Sequence, residues 1–360
     1  MTSEPKNDWL QHFKKTDALA AAQLALLATK EIVDTTEQVH LSVLDQSSVM
    51  RWLTTGTQLV YKSVNAIPIA SKTAINPIAK QVHEAALPDH AHQQGEGTTE
   101  RLNIIAALNG IFGDHFEKLH SPIATQMHIV HPSEQKHTNK ILFIHGLCMD
   151  DRAWRKERTE PLADSLASDV WLLRYNSGLS IKQNGAALAQ LLESELESHS
   201  NITLVGHSMG GLIALYALLS AAENKLSWFG RVRAMASLGT PFAGSPIAHW
   251  GRWIETRLHS FPVTVPFATL TKRRSIGIHD LHDGFIDAIP ATYGIPTFCV
   301  AGTTHELVDG VIGDGLVTEK SALALPNIQE SWVAKNVGHL RLLSDASVFE
   351  KLQQWLVPLH

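Results

Sequence analysis

The pattern of apolar and polar positions changes once along the chain, near residue 120. Up to that point apolar residues recur every three or four positions, the spacing that places them on one face of a helix. The spacing is clearest at Leu24, Leu27, Ala28, Ile32, Val39 and Val43. Further helices are predicted over 47–67 and 99–111, and the polar segment 87–100 is interpreted as a linker or an excursion between them. The pattern therefore predicts a helical N-terminal region over residues 1–120.

From about residue 125, short apolar runs alternate with segments of helical periodicity, such as 185–197 and 209–222. The runs lie at 126–130, 140–146, 169–175, 201–206, 233–239, 296–302 and 331–339. Alternating strand and helix units are typical of an α/β fold with a doubly wound, mostly parallel sheet. The segments 125–131 and 140–144 look like a hairpin, which would form the antiparallel edge of that sheet. This α/β domain is predicted to cover residues 121–360.

Composition narrows the classes of function. Apolar residues make up 44% of the 360 positions and charged residues 18%, with a formal net charge of −5. A globular protein of this kind without a basic excess is not expected to bind nucleic acid. Two cysteines, Cys148 and Cys299, exclude a disulfide framework and favour a reducing compartment. The apolar stretch 18–28 is too short to span a membrane, and the N-terminal residues do not fit a secretory signal, so a cytoplasmic location is predicted.

One serine stands among glycines where an apolar run meets a helical segment. The run 202–205 stops at Gly206, and Ser208 and Gly210 follow before the helical pattern begins. A sharp turn from strand to helix would expose the Ser208 hydroxyl, and glycines two positions before and after it would let the strand and helix approach closely. The spacing predicts a nucleophile elbow at Ser208. The alternative interpretation is a buried serine in a tight turn.

A serine hydroxyl needs a base to take its proton, and histidine suits that task near neutral pH. In this architecture the acid and then the histidine follow the serine along the chain. Beyond residue 305 the histidines are His339 and His360. His360 is the last residue and is expected to be frayed. His339 follows the last apolar run and is predicted to be the general base.

The acid that orients this histidine is expected between the two residues. The segment offers Glu306, Asp309 and Asp314. Asp314 is preferred because Gly313 and Gly315 flank it in what looks like a tight, partly buried turn. Asp309 remains the alternative.

A tetrahedral intermediate also needs donors for its oxyanion. One is expected to be the backbone N–H of Met209, directly after the serine. The other is expected to be the N–H of Leu147, in the loop that follows the run ending at Ile144. In that loop His145 is interpreted as a hydrogen-bonding scaffold and Cys148 as a small apolar filler.

Five motifs together resemble those of lipase- and esterase-like α/β-hydrolases. They are HGL at 145–147, GHSMGG at 206–211, LGTPFAGSP at 238–246, GDGLV at 313–317 and GHLRLL at 338–343. The resemblance covers about residues 125–360 and leaves the N-terminal region outside. It implies serine-dependent ester hydrolysis without a metal or an organic cofactor.

The same resemblance implies the roles of individual residues. It makes Ser208 the nucleophile, Asp314 the acid and His339 the base, with Leu147 and Met209 as oxyanion donors. One departure is Phe242, where many relatives have a histidine, and this change is expected to alter the pocket wall without removing the catalytic triad.

A cap or lid is predicted over about 246–292, because a connection of that length in a compact domain usually has a function. Its apolar side chains, with Trp250 and Trp253 among them, and Phe242 before it are expected to line an acyl pocket. The alternative is that they pack the cap's own small core. An apolar lining favours a small or lipid-like ester, but does not choose between a short ester, a glyceride, a thioester or a polymer.

Other functions remain open at this level. An acyltransferase or thioesterase would use the same triad, and a catalytically idle protein would bind a partner through the N-terminal helices. Those helices can buttress the cap, or contact a membrane surface or another protein. The histidines His83, His90 and His92 lack the spacing of a metal site, so no metal is expected. The oligomeric state is not predicted.

Overall fold

The computed structural model describes part of the chain, which falls into two compact units. The described residues are Asp17, Ala20, Gln23, 97–246, 250–251, 253–254, 275–284, 294–304 and 313–360. Of these, the first unit holds Asp17, Ala20, Gln23, 97–102 and 116–123, and the second holds the others. The helix predicted over 47–67, the histidines at 83, 90 and 92, and most of the predicted cap lie outside the described residues.

A buried ion pair joins Asp17 to Arg101 among the described residues of the first unit. Asp17, Ala20 and Gln23 are helical. The carboxylate of Asp17 accepts hydrogen bonds from Nε of Arg101 at 2.7 Å and from its Nη2 at 2.6 Å. Gln23 also donates to the carbonyl of Leu119 at 3.4 Å. Two planar bonds between guanidinium and carboxylate fix both distance and orientation.

Helix α1 (Thr99–Lys118) is longer than the helix predicted over 99–111. Its additional residues include Phe112 and Phe116, both fully buried. Gly113 lies between them and weakens the helical pattern in the sequence. Burial of the aromatic side chains offsets that weak propensity, so the helix continues past the predicted end.

All seven apolar runs are strands of one sheet, as predicted. They are β1 (His128–Val130), β2 (Asn139–Ile144), β3 (Ser168–Arg174), β4 (Ile202–His207), β5 (Val232–Leu238), β6 (Thr297–Thr303) and β7 (Glu330–Lys335). The order across the sheet is β1-β3-β2-β4-β5-β6-β7. All neighbours are parallel except β1 and β3. The sheet is therefore mostly parallel, and its strands end at a common edge.

The predicted hairpin between β1 and β2 is wrong, although β1 is the antiparallel edge strand. β1 pairs with β3, with Val130 opposite Leu172. β2 is central and pairs in parallel with β3 on one side and β4 on the other. Both of its hydrogen-bonding edges are thus occupied, so the chain must pass over the strand ends before it enters β2.

Helices pack along the sheet. The other helices with bounds in the described ranges are α2 (Lys156–Ser165), α3 (Ile181–Glu195), α4 (Met209–Glu223), α5 (Ile276–Asp283), α6 (Glu319–Ala322) and α7 (Ala346–Leu356). Short 3₁₀ segments lie at Asp151–Ala153, Phe229–Arg231, His339–Leu343 and Val357–Leu359. Side chains of α2 and α7 share one core with alternate residues of the strands, such as Ile141 and Phe143. Helices α3 and α4 pack on each other, and α4 contacts β2, β4 and β5. The central strands are buried on both faces, as parallel strands usually are.

No helix in the described ranges combines the length and the apolar content that crossing a bilayer requires.

Candidate active site

Ser208 occupies a sharp turn at the end of the central strand β4. The strand ends at His207, Ser208 has φ 55° and ψ −124°, and α4 begins at Met209. The Ser208 N–H donates to the carbonyl of Leu238 in β5 at 2.8 Å. A positive φ is costly for a residue with a β-carbon, on the order of 1–3 kcal/mol. The surrounding sheet and helix hold this conformation, which matches the predicted strand–turn–helix.

Glycines allow the close packing around this turn. A β-carbon on Gly206 would lie 2.5 Å from the Cα of Gly211, and one on Gly210 would lie 2.6 Å from the carbonyl oxygen of His145. Both distances are shorter than a real β-carbon tolerates. The first turn of α4 therefore rests directly on β4 and on the end of β2.

Asp314 and His339 form a buried hydrogen-bonded pair. His339 Nδ1 lies 2.7 Å from Asp314 Oδ2. The other carboxylate oxygen of Asp314 accepts the backbone N–H groups of Leu316 at 3.0 Å and Val317 at 2.8 Å. A carboxylate can only accept in this contact, so Nδ1 carries a proton, and in the neutral ring the lone pair then lies on Nε2. This is the tautomer that a general base requires.

This pair lies at the same edge of the sheet as Ser208. Gly239, just after β5, has φ 59°, and a β-carbon there would lie 2.9 Å from Asp314 Oδ2 and 3.2 Å from His339 Nδ1. His207 Nε2 contacts the backbone carbonyl of His339 at 2.9 Å, and their rings are 4.7 Å apart. The residue before Ser208 thus touches the residue predicted to be its base.

The hydroxyl of Ser208 is buried and makes no hydrogen bond to any described residue. The structure therefore does not join Ser208 Oγ to His339. Such contacts are often long in a site without substrate and tighten when it binds.

Of the residues considered as alternatives for the acid and the base, the structure describes His360 and places it at Thr203. Asp309 and Glu306 lie outside the described residues. His360 is not frayed, because its Nε2 lies 2.8 Å from Oγ1 of Thr203. Thr203 is near the amino end of β4, about 16 Å from Ser208 at 3.3 Å per residue. His360 is therefore at the wrong end of the sheet to act on Ser208.

The predicted oxyanion loop passes beside Ser208. A β-carbon on Gly146 would lie 3.1 Å from Cβ of Ser208. Leu147 follows directly, and both Leu147 and Met209 are buried. The loop is held by Tyr175, whose hydroxyl donates to the carbonyl of His145 at 2.7 Å and whose ring stacks on the imidazole of His145 at 4.2 Å.

Two neighbouring histidines, His207 and His145, have pKa values below the ordinary value of a histidine. Burial lowers the pKa of His207 well below its ordinary value, and the nearby His339 lowers it further. Burial also lowers the pKa of His145. Nδ1 of His207 and Nε2 of His145 have no hydrogen-bond partner within the described ranges. Sequence reasoning missed His207, Tyr175 and Gly239; the first could have been noticed from its position next to Ser208.

Two of the three residues predicted to line the pocket, Trp250 and Trp253, form a row of ring contacts that begins at His339. The ring of Trp250 lies edge-on to His339 at 5.9 Å, and Trp253 lies edge-on to Trp250 at 5.7 Å. Phe242 is fully buried after β5. Its role as a pocket wall stays a prediction. Within the described residues, no group of three or more histidine, cysteine or acidic side chains is arranged to hold a metal ion.

Comparisons with solved structures give matches of low identity. The propeptide form of the lipase BlEst2 from Bacillus licheniformis matches with 23% identity and a TM-score of 0.48, over 63% of this chain and 53% of that one. The matched part thus spans about half of the lipase chain. A lipase-esterase related protein from Clostridium acetobutylicum has 21% identity and a TM-score of 0.41, over 64% of this chain and 99% of that one.

The thioesterase RedJ of the prodiginine pathway in Streptomyces coelicolor has 15% identity and a TM-score of 0.45, over 64% of this chain and 90% of that one. No curated protein matches the chain significantly. The model of the alpha/beta hydrolase family matches residues 141–351, more than half of the chain. The match includes the elbow, the loop after β2 and the Asp314–His339 pair, and the chain therefore belongs to the alpha/beta hydrolase family.

Proposed function

We propose that this protein is a serine hydrolase that cleaves carboxylic esters through an acyl-enzyme on Ser208. The observation that carries the proposal is the buried pair of Asp314 and His339, at the same sheet edge as the Ser208 turn. A carboxylate that holds the Nδ1–H of an imidazole leaves Nε2 free to accept a proton. Ser208 directly follows His207, whose Nε2 lies 2.9 Å from the backbone carbonyl of His339, and this supports Ser208 as the nucleophile that the pair would activate.

In the first half of the reaction, Nε2 of His339 takes the proton of Ser208 while Oγ attacks the ester carbonyl carbon. The imidazolium is stabilised by the carboxylate of Asp314. The backbone N–H groups of Leu147 and Met209 stabilise the oxyanion, where loss of one donor typically costs about 10²–10³ in kcat. His339 then gives its proton to the departing alkoxide, and the acyl group remains on Ser208.

In the second half, His339 accepts a proton from water, which attacks the acyl-enzyme, and returns that proton to Ser208 as the carboxylic acid leaves. The acyl group is proposed to lie against Trp250, which contacts the face of the site at His339. An apolar wall of this kind favours an acyl chain over a polar group.

The test is labelling with a fluorophosphonate probe, together with hydrolysis of p-nitrophenyl esters of rising acyl length. The wild-type protein is expected to be labelled and active, and Ser208→Ala to be neither. Ser168→Ala is the matched control, because Ser168 is also buried but lies at the amino end of β3. The proposal is wrong if folded wild-type protein is not labelled and hydrolyses none of the esters. A thioester and an added alcohol acceptor in the same assay measure whether thioester cleavage or acyl transfer exceeds hydrolysis of the esters.

A further inference from the structure

Cys148, the residue after Leu147, has an unusual backbone conformation. Its φ is 56°, a value that favours glycine, and it is fully buried. Its backbone N–H donates to Oγ of Ser177 at 3.1 Å. Holding a cysteine in this region costs free energy, so the residues around it must stabilise the turn. The turn determines the path of the loop that carries the Leu147 N–H.

Ser177 lies in the segment that follows β3 and is buried to 1% exposure. Two residues earlier, Tyr175 donates to the carbonyl of His145. The segment after β3 thus contacts the oxyanion loop at both ends: Tyr175 contacts its first residue, and Ser177 contacts the residue after Leu147.

The other side of the turn rests on α1. A β-carbon on Gly110 would lie 2.7 Å from the backbone nitrogen of Cys148 and 2.8 Å from its Cα, so only glycine allows this approach. Sγ of Cys148 contacts the carbonyl of Ala107 at 3.6 Å. Gly110 and Ala107 precede the residues that match the family model, 141–351. A helix from outside the matched region therefore forms part of the support of the loop.

We propose that Ser177 is a positioning residue for the oxyanion loop and that Gly110 of α1 is the surface against which this loop is held. The proposal rests on the proposed function. Ser177 does not touch the substrate; it fixes the Cys148 peptide and, through it, the Leu147 N–H. Donors to a developing oxyanion act only when they are held within about 0.5 Å of the productive position.

The first test is Ser177→Ala, assayed with a p-nitrophenyl ester and with a trifluoromethyl ketone, which forms an oxyanion on Ser208. We expect kcat to fall about tenfold or more while KM stays within about twofold, because a misplaced oxyanion donor acts on the transition state. Affinity for the ketone is expected to fall in parallel with kcat/KM. Ser177→Thr keeps the hydroxyl and is expected to recover most of kcat.

The control is Ser168→Ala. Ser168 is the first residue of β3, is buried to 2% and donates to the carbonyl of Leu166 at 3.0 Å. Ser168→Ala therefore also removes a buried serine hydroxyl, but at the opposite end of β3 from Ser177, and kcat and ketone affinity are expected to remain those of the wild type.

The second variant is Gly110→Ala. Alanine favours a helix more than glycine, so a loss of activity cannot come from helix propensity. We expect kcat to fall because the new β-carbon displaces Cys148, whereas Gly230→Ala, where a β-carbon meets nothing within 4 Å, should leave kcat unchanged. If Ser177→Ala does not fold, Gly110→Ala still tests whether the loop depends on this contact.

The outcomes separate the two proposals. If the wild type is active and folded Ser177→Ala and Gly110→Ala keep wild-type kcat and ketone affinity, the positioning role is wrong and the proposed function stands. If KM rises while kcat and ketone affinity are unchanged, the role is also wrong. If the wild type is neither labelled nor active, the proposed function fails, and the positioning role fails with it.

Discussion

The sequence singles out three residues of the candidate site because it offers few choices for each, and their catalytic roles stay predictions. Ser208 is marked by its flanking glycines, and His339 by the small number of histidines late in the chain. The glycine neighbours of Asp314 favour it over the other two acidic residues, and in the structure its carboxylate lies 2.7 Å from Nδ1 of His339. By contrast, His207 and Tyr175 act on backbone carbonyls that are distant in the sequence. The spacing of residues along a sequence does not reveal contacts between side chains and distant backbone carbonyls.

The hydrogen-bonded pair of Asp314 and His339 gives the first prediction. Asp314→Asn is expected to reduce kcat by about 10⁴, because an amide that donates to Nδ1 favours the wrong tautomer of His339. The measurement is steady-state hydrolysis of a p-nitrophenyl ester, with circular dichroism to show that the fold is intact. Asp164→Asn, at an exposed carboxylate of α2, is the control and should keep full activity. A loss of less than tenfold would contradict the role of Asp314.

A second prediction concerns pH and His207. Burial and the nearby His339 lower the pKa of His207, so the folded protein keeps this ring neutral while the unfolded chain takes up a proton below about pH 6.5. Its contribution to stability is therefore complete above that pH and is lost as the pH falls toward the lowered pKa, at up to about 1.4 kcal/mol per pH unit.

Urea unfolding at pH 7.5, 6.5 and 5.5 measures this slope. His207→Gln removes the titrating ring, and its unfolding free energy is expected to fall less steeply between pH 6.5 and 5.5 than that of the wild type. An unchanged slope would mean that His207 does not contribute in this way.

At the scale of elements, the alternation of apolar runs and helical segments was sufficient to predict the seven strands. The partner of β1 could not be predicted, because each strand's own pattern shows that it is buried but not which strand lies beside it. Consecutive apolar runs often form a hairpin, but here β3 lies between β1 and β2. The segment between β1 and β2 is instead fixed to β3 through Asp169.

Asp169 therefore gives a prediction at this scale. Its carboxylate accepts the backbone N–H of Lys136 at 2.8 Å and that of His137 at 3.0 Å, and the ammonium of Lys140 at 2.8 Å. Asp169→Asn removes the carboxylate that pairs with the buried ammonium group of Lys140, which keeps the carbonyl of His137 at 2.7 Å as an acceptor. The loss of the opposite charge is expected to lower the free energy of unfolding by about 3 kcal/mol at pH 7. Chemical denaturation measures this change, with Asp164→Asn as the control.

The lowered pKa of Asp169 also predicts how the stability of the fold changes at acidic pH. Burial would raise the pKa of Asp169, but the hydrogen bonds from Lys140, Lys136 and His137 together lower it below its ordinary value of 3.8. A lowered carboxyl pKa stabilises the fold above about pH 4, and this contribution is lost as the pH falls further. The difference in stability between the wild type and Asp169→Asn should therefore shrink below pH 4. A difference that stays constant down to pH 2 would contradict the assignment.

At the scale of the whole molecule, the sequence correctly predicted an α/β-hydrolase sheet, and the boundary at 120 stays a prediction. The compact unit that contains the sheet also contains residues 103–115 of α1. Asn109 accepts the N–H of Thr125 at 2.9 Å, and Asn176 donates to the carbonyl of Gly113 at 3.0 Å. The sequence could not show this, because the helical pattern of α1 looks the same as that of the segments before it.

The contacts of α1 give the last prediction. A chain of residues 121–360 is expected to melt at a lower temperature than a chain of residues 97–360, because it lacks α1 and exposes the surface on which Ala107 and Gly110 pack. Differential scanning calorimetry of the two chains and of the full chain compares them directly. Equal melting temperatures for the two shorter chains would place α1 outside the stable domain.

His339, the base in the proposed mechanism, follows the last strand of the sheet, and this position has a consequence for biosynthesis. His207 and His339 are 132 positions apart. At about 5–20 residues per second, a ribosome needs roughly 7–26 s to make the segment between them. During that time the nascent chain carries Ser208 without His339, which is the base of the proposed mechanism. Under the proposed function, ester cleavage can therefore begin only once β7 has left the exit tunnel and joined the sheet.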